Sequence, residues 1–415
     1  MFRDHASRIW GFSVLAIAVL KFGGTSVASE ESRQLAVARV RAHLDKGYDV
    51  CVVVSAMGRK GEPYATDTLL GLARSLYHNT APRELDLMAA CGEIISSVVM
   101  TNALRREGIR ALALTGWQAG IVTDTNFTQA RIRRVEPSHL QRHLKEGFVV
   151  VVAGFQGQTE SGDITTLGRG GSDISAVALG VALEAQETEI YTDVDGVLTA
   201  DPRVVPDART IPSITYDELC QFAHEGAKVI HPVAVELARR YDLQLHIRST
   251  FSDSMGTTVT GQPLVGGHPR TVTGVTSIGG MVQVQVDFGP DQGSGDELRL
   301  FKALADQRIS LDMILVTPGR KAFIVAEGVA QEAQDVMERA GFFPSIRPGC
   351  AKVSVIGAGM RGVPGVMAAV ASALHDAGVR ILQTADSHLS ISCLVPQEHS
   401  DTAVRALHGK FHLSQ

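Results

Sequence analysis

Aromatic residues are scarce in this 415-residue chain, at 5% with two tryptophans. The net charge of −5 leaves no basic excess, and no stripe of Lys and Arg is interleaved with aromatics. A nucleic-acid partner is therefore not expected. Cysteine is also sparse: Cys51, Cys91, Cys220, Cys350 and Cys393 are scattered, and no two form a CxxC pair. That excludes a zinc ribbon or a dithiol redox centre. It fits a reducing, cytoplasmic setting in which free cysteines serve as small core residues. The run "WGFSVLAIAVL" (10–20) follows Arg3 and Arg8 like a short signal peptide. It is too short to span a membrane, and it continues into "KFGGTS" without a small-x-small cleavage site. It is expected to form a buried first strand over 13–20 behind a loose extension, residues 1–12.

What is abundant is apolar residue (45%) and glycine (41 residues). Apolar runs such as "YDVCVVVSA", "IRALALTG", "GFVVVVAGF" and "ETEIYTDV" are separated by helical patterns such as "PSHLQRHLKEG" and "SDISAVALGVALEA". The runs are apolar throughout rather than alternating, as in parallel strands covered on both faces. Residues 13–262 thus read as one α/β sandwich with a mainly parallel central sheet. The Gly/Pro-rich stretch "GQPLVGGHPR" (261–270) reads as a linker. After it a β-α-β-β-α order occurs twice, the split βαβ pattern, placing small α+β units at 263–343 and 344–415.

The second unit contains Gly357-x-Gly359-x-x-Gly362 after an apolar strand, the outline of a dinucleotide-binding turn. A Rossmann domain needs further βα units beyond that turn. Here the chain continues as a hairpin, "TADSHLSISCLV", so the glycines read as a tight strand-to-helix turn.

Four segments carry chemistry. "LKFGGTS" (20–26) sets Lys21 ahead of Gly23 and Gly24, which fits an anion site and fits a plain turn equally. "TTLGRGGSDISAVALG" (165–180) offers Arg169 as a two-pronged carboxylate donor among glycines, with Ser172 or Asp173 capping a helix expected from about Ile174. Glu93 in "CGEIISSVV" either points to solvent or faces a cleft, where it holds an ammonium. The acidic loop "IYTDVDGVLTADPRVV" (190–205) suits Mg²⁺–nucleotide or merely Asx-turns. Lys228 in "EGAKVIHP" is either functional or a solvated surface charge.

In this order the segments resemble aspartokinases of the amino-acid-kinase superfamily. The resemblance rests on "KFGGTSV" (21–27), "VVVSAMG" (52–58), "GEIISS" (92–97), "LTGWQAGI" (114–121), "GRGGSD" (168–173), "TDVDGVLTADPR" (192–203), "GAKVIHP" (226–232) and the C-terminal repeat. It implies a three-layer kinase sandwich followed by two interleaved ACT domains. It also implies MgATP-dependent phosphorylation of the side-chain carboxylate of L-aspartate, with Mg²⁺ held mainly by phosphates and water and no protein metal site. By the resemblance, Lys21 and Asp173 are catalytic, and Ser55, Thr66, Glu93, Arg169 and Ser172 bind aspartate. Lys21, Phe22, Gly23, Gly24, Thr192, Asp193, Gly196, Arg203, Lys228 and Val229 would bind ATP.

The insert "RKGEPYATDTLL" (59–70) is most similar to the Bacillus-type, diaminopimelate-sensitive aspartokinases. That implies meso-diaminopimelate as effector ahead of lysine or threonine. The expected effector residues are Asp291, Asp296, Ile309 and Met313, between "DFGPDQGSGDE" and "ISLDMI". His388 stands where many relatives have Glu, and Leu198 where some have a nucleotide-contacting Tyr. The strand "RTVTGVTSI" (270–278) is expected to complete the last ACT unit, and edge pairing implies a homodimer or a higher homo-oligomer. The rivals are a kinase for a related acid or a nucleotide, a dehydrogenase, and a non-catalytic amino-acid sensor.

Overall fold

A computed structural model describes residues 16–227, 229–262, 271–289, 294–360 and 362–415. Residues 1–15, including the expected extension and the start of the first strand, lie outside the described residues, as does most of the expected linker. The chain divides into two compact units. The first comprises residues up to Val197, Pro212–Tyr216 and Val229–Gln262, and the second comprises Leu198–Ile211, Asp217–Lys228 and Pro263–Gln415.

The first unit opens with β1 (Ile17–Phe22), α1 (Gly24–Ala28), α2 (Glu30–Asp45) and β2 (Asp49–Val54). Then come α3 (Thr66–Leu76), α4 (Pro82–Arg106), β3 (Ala111–Leu114), β4 (Ile121–Thr123), β5 (Ile132–Val135) and α5 (Ser138–Lys145). They are followed by β6 (Val149–Ala153), β7 (Gln156–Gln158), β8 (Ile164–Thr166), α6 (Gly171–Ala182) and β9 (Glu187–Thr192). The last elements of this stretch are β10 (Ser213–Thr215), α7 (Tyr216–His224), α8 (Pro232–Arg240), β11 (Leu245–Ser249) and β12 (Thr257–Thr260). Most of α7 groups with the second unit.

Eight strands form the main sheet in the order β10-β12-β11-β9-β1-β2-β6-β3. Its centre is parallel, with Val19 opposite Cys51 and Cys51 opposite Val150. Val50 to Val54 and Val149 to Ala153 are all buried, which is why these strands read as unbroken apolar runs. A smaller sheet, β5-β4-β7-β8, stands apart. The helix α4 is long and apolar enough to cross a membrane by composition, but half of that stretch is buried within the protein.

One buried charge network braces the sheet. His43 on α2 lies 3.2 Å from Glu187 and 3.4 Å from Glu189, both on β9. Arg248 reaches Glu189 at 3.1 Å, and the Tyr191 hydroxyl donates to Glu189 at 2.6 Å. Burial pushes the His43 pKa down. The Glu189 and Arg39 hydrogen bonds and the two carboxylate charges outweigh it, so the net shift is upward. Two carboxylates thus face the Arg248 guanidinium and the His43 imidazole, and α2 is tied to the strand that ends at Thr192.

In the second unit β13 (Gly274–Asp287), α9 (Ser294–Asp306), β14 (Asp312–Thr317), β15 (Arg320–Ala326) and α10 (Glu327–Arg339) precede β16 (Ser345–Ile356), α11 (Val366–Asp376), β17 (Gln383–Asp386), β18 (Ser390–Pro396) and α12 (Ser400–Lys410). The six-stranded sheet runs β14-β15-β13-β16-β18-β17. The two strands expected around 270–278 and from 281 are one 14-residue strand. A register shift at Ile278/Met281, where Gly280 has φ +65°, bends it. Its first half, Gly274–Ile278, pairs with Ile356–Lys352, and its second half, Met281–Asp287, pairs with β15. Beyond Ile356 comes a short 3-10 turn, and α11 starts only at Val366. β16 has antiparallel neighbours on both sides, so the glycine turn is not a dinucleotide crossover.

Candidate active site

Parallel strands end together, and the loops leaving the carboxyl ends of β1, β2, β6 and β9 build one rim. β1 carries Lys21 to this rim, 2.7 Å from Asp173. Both side chains are about one-tenth exposed, so the ammonium lies against the wall rather than in water. Asp173 also accepts the His231 N–H at 3.2 Å. It sits in the first turn of α6, where the helix dipole favours a carboxylate.

The helix does not start at Ile174. It starts at Gly171, because Gly170, at φ +68°, makes the turn that a side chain would oppose. A Cβ on Gly170 would fall 2.2 Å from the His231 Cβ. Ser172 and Asp173 are therefore first-turn residues and not caps.

A cavity of about 560 Å³ opens beside the pair, lined by Lys21, Gly24, Ser172 and Asp173. Ser55, Thr66, Glu93 and Arg169 line its other walls. A Cβ on Gly24 would meet the Ala56 carbonyl at 2.7 Å, so only glycine lets the loops after β1 and β2 approach this closely. Glu93 does not point to solvent. Its Oε1 accepts the Ala56 N–H at 3.0 Å, while Oε2 is buried without a partner among the described residues. Burial pushes its carboxyl pKa up to about 8, against the pull of the Ala56 N–H. Arg169 is exposed on the same cavity, and no ion pair holds it among the described residues.

The expected nucleotide residues are less unified. Thr192 ends β9, next to β1, Asp193 and Gly196 follow it, and none of the three lines this cavity. Arg59 does line it and pairs with Asp193 at 3.0 Å. The Phe22 ring is wholly buried and stacks on Tyr191 at 4.9 Å, so only its backbone is available to a ligand. Gly23 is not a free donor: its N–H extends the β1–β9 ladder to the Tyr191 carbonyl at 3.2 Å. The amides of Gly24 and Thr25, opening α1, are the ones without an intrahelical acceptor. Arg203 belongs to the second unit, and Asp201 holds its guanidinium at 2.6 Å. Val229 is half-buried, and Lys228 lies outside the described residues.

Of the expected effector residues, Asp291 also lies outside the described residues. Asp296 pairs with Arg299 at 3.0 Å, and Ile309 and Met313 are buried.

The amino acid kinase family model matches residues 16–249, and an ACT domain model matches 345–409. Aspartokinase 1 of Bacillus subtilis is 46% identical over 405 residues, covering 97% of this chain and 100% of that protein. The chain belongs to the aspartokinase family. The aspartokinase of Geobacillus stearothermophilus is 40% identical, covering 97% of this chain and 98% of that one. The crystal structure of E. coli aspartokinase III in complex with aspartate and ADP, an R-state, matches with a TM-score of 0.77 at 26% identity, over 95% of this chain and 99% of that one. The same enzyme with lysine and aspartate, a T-state, matches at 0.76 and 25%, with the same coverage.

Sequence reasoning missed several residues on the aspartokinase cavity: Asp86, Thr128, Phe155, Arg59 and Arg74. Asp86 was accessible, since it lies seven positions before Glu93 on the same helix, two turns along one face. The others carry no local signal and meet only when the fold closes.

Proposed function

We propose that this chain transfers the γ-phosphoryl group of MgATP to the side-chain carboxylate of L-aspartate, yielding 4-phospho-L-aspartate and ADP. This is the entry step to lysine and diaminopimelate, threonine and methionine synthesis. The observation that carries the reading is the pairing, in one cavity, of an uncompensated Arg169 with an orphaned Glu93 oxygen. Those two groups match an α-carboxylate and an α-ammonium, and an N-acetylated acid would leave Glu93 unmatched. Ser55, Thr66 and Ser172 line the rest of the acceptor site.

The chemistry asks little of the protein covalently. A carboxylate oxygen of aspartate attacks phosphorus, ADP leaves, and no proton has to move, so no general base is required. Lys21, oriented by Asp173, stabilises charge on the transferring group. Gly24, Thr192, Asp193, Gly196, Lys228 and Val229 form the nucleotide side, with the backbone of Phe22 and Gly23 beneath and Arg203 assigned to it from the family motif. Mg²⁺ arrives with ATP and is held mainly by phosphate oxygens and water.

The kinase domain is assigned to 13–262 and the ACT units to 263–343 and 344–415. In the first ACT unit Asp291, Asp296, Ile309 and Met313 are assigned to an amino-acid effector, meso-diaminopimelate ahead of lysine or threonine. The edge strand β14 exposes Ile314, Leu315 and Val316, which supports a homodimer formed by pairing between copies. The compartment assigned to it, from the scattered free cysteines, is the cytoplasm.

Trapping the acyl phosphate with hydroxylamine tests this reading. Aspartate-dependent hydroxamate is expected, reduced by meso-diaminopimelate. Hydroxamate formation with glutamate and not aspartate would overturn the substrate, and inhibition by lysine or threonine alone would reassign the effector.

Glu93 adds a pH signature. Its carboxyl, raised to about 8 in the free protein, must ionise to hold an ammonium. kcat/KM for aspartate should therefore rise with pH and level off near 8, and Glu93→Gln should lose this limb. The same shift makes ionisation unfavourable to the fold. Stability falls as pH climbs from the unfolded carboxyl value, near 4.5, to about 8, and Glu93→Gln should flatten that slope. An unchanged profile in the variant would remove Glu93 from the site.

A further inference from the structure

Asp86 lies on α4 and is 1% exposed, yet no cation pairs with it among the described residues. Its oxygens are instead met by two neighbouring stretches that both line the cavity. Thr166 donates both its hydroxyl, to Oδ1 at 2.6 Å, and its N–H, to Oδ2 at 2.9 Å. The N–H of Thr128 is shared between Oδ1 at 3.0 Å and Oδ2 at 2.9 Å. A carboxylate, which only accepts, is the side chain that satisfies such a convergence of donors.

Both stretches matter to the site. Thr128 has φ +70°, a left-handed conformation a β-branched residue adopts only when its surroundings impose it. Thr166 closes β8, three positions before Arg169. The two are also joined directly: the Ala130 N–H donates to the Thr166 carbonyl at 2.9 Å, and a Cβ on Gly168 would sit 3.3 Å from the Thr128 carbonyl. Arg169 itself makes no hydrogen bond or ion pair among the described residues, so the backbone that carries it fixes where its side chain enters the cavity.

We propose that Asp86 is a positioning residue for the aspartate site: it clamps residues 128 and 166 and thereby aims Arg169 at the substrate α-carboxylate. The inference rests on Arg169 being the carboxylate clamp proposed above. Asp86 touches no reacting atom. Its removal should loosen acceptor binding and spare the nucleotide side.

The test is steady-state kinetics on the full chain for Asp86→Ala, Asp86→Asn, Thr166→Val, Arg169→Ala and Asp86→Ala combined with Arg169→Ala. Asp86→Ala is expected to raise KM for aspartate about tenfold or more, with KM for ATP changed less than about twofold. Asn keeps one acceptor oxygen, so Asp86→Asn should recover much of the loss, and Thr166→Val should show a smaller rise of the same kind. In the Arg169→Ala background, Asp86→Ala should add less than about twofold, since two residues acting through one contact are not additive. Equal rises in both KM values, or full multiplication in the double variant, would overturn the proposal. If Asp86→Ala does not fold, Asp86→Asn and Thr166→Val decide, and an unchanged aspartate KM in both sinks it. An unchanged aspartate KM in Arg169→Ala, beside a raised one in Asp86→Ala, would fault the clamp assignment. The converse pattern would fault Asp86.

Discussion

Replacing Lys21 with alanine is expected to lower kcat by about three orders of magnitude or more, with KM for aspartate little changed. Removing one preorganised donor to a transition-state charge costs about 10²–10³ in rate. A cation on a transferring phosphoryl group is worth about 10³–10⁵. Lys21 belongs with the second range rather than the first because its loss also unmasks Asp173, 2.7 Å away, as a negative charge beside the phosphates. Asp173→Asn should lose less, since the ammonium stays on β1 and only its aim is relaxed. Lys21→Arg should not restore the rate, because a planar fork cannot occupy the place of a point charge against the Asp173 oxygen. The fold should survive Lys21→Ala, since Asp173 keeps the His231 N–H and the α6 dipole. Hydroxamate formation gives the rate, and retention of the ADP-induced thermal shift shows that the protein is folded. A loss below tenfold would mean that another group carries the charge.

How far such a site can be read in advance depends on the range of the interactions that make it. β2 and β6 were legible because burial on both faces leaves no polar position in "VCVVV" (50–54) or "VVVVA" (149–153). The loop after β1 was legible as Lys-x-Gly-Gly. What its glycines do was not, because the Gly23 N–H goes to Tyr191, a residue on a strand far along the chain. The start of α6 was misplaced for the same reason: His231, not the helix sequence, forbids a side chain at Gly170. Glu93 carried two readings until burial under the loop after β2 decided between them. α3 shows the opposite limit. None of its residues is buried, so its pattern alone does not say that Thr66, Asp67 and Arg74 face a cavity.

In the second unit, Lys352→Met should destabilise the fold by about 3–5 kcal/mol, the range for breaking a buried ion pair. Lys352 lies on β16 with its side chain 5% exposed, 2.8 Å from Glu225 and 2.5 Å from Asp312. Glu225, itself 9% exposed, also accepts from the Ser354 hydroxyl at 2.6 Å and the Gln221 amide at 3.1 Å. Neutral donors of that kind do not balance a full charge when the ammonium goes. Asp312, about half exposed, can turn to water, so most of the cost falls on Glu225. Burial alone would depress the Lys352 pKa, but the Asp312 and Glu225 hydrogen bonds and charges outweigh it, and the net shift is upward. A raised lysine stabilises fully below its unfolded value, near 10.5, and the contribution is lost only as pH passes the folded value. The deficit of Lys352→Met should therefore stay constant from about pH 6 to pH 9. Adding Glu225→Gln should recover much of it, because a neutral amide no longer needs the cation. Amide exchange in β16 and β18 reads the effect locally, where a two-unit chain need not melt as one. Undiminished protection in Lys352→Met would show that the pair is not what joins Asp312 of β14, Glu225 and the β16 sheet. If the protection does fall, the strand next to the expected effector residues is held by a charge that buried hydrogen bonds alone cannot replace.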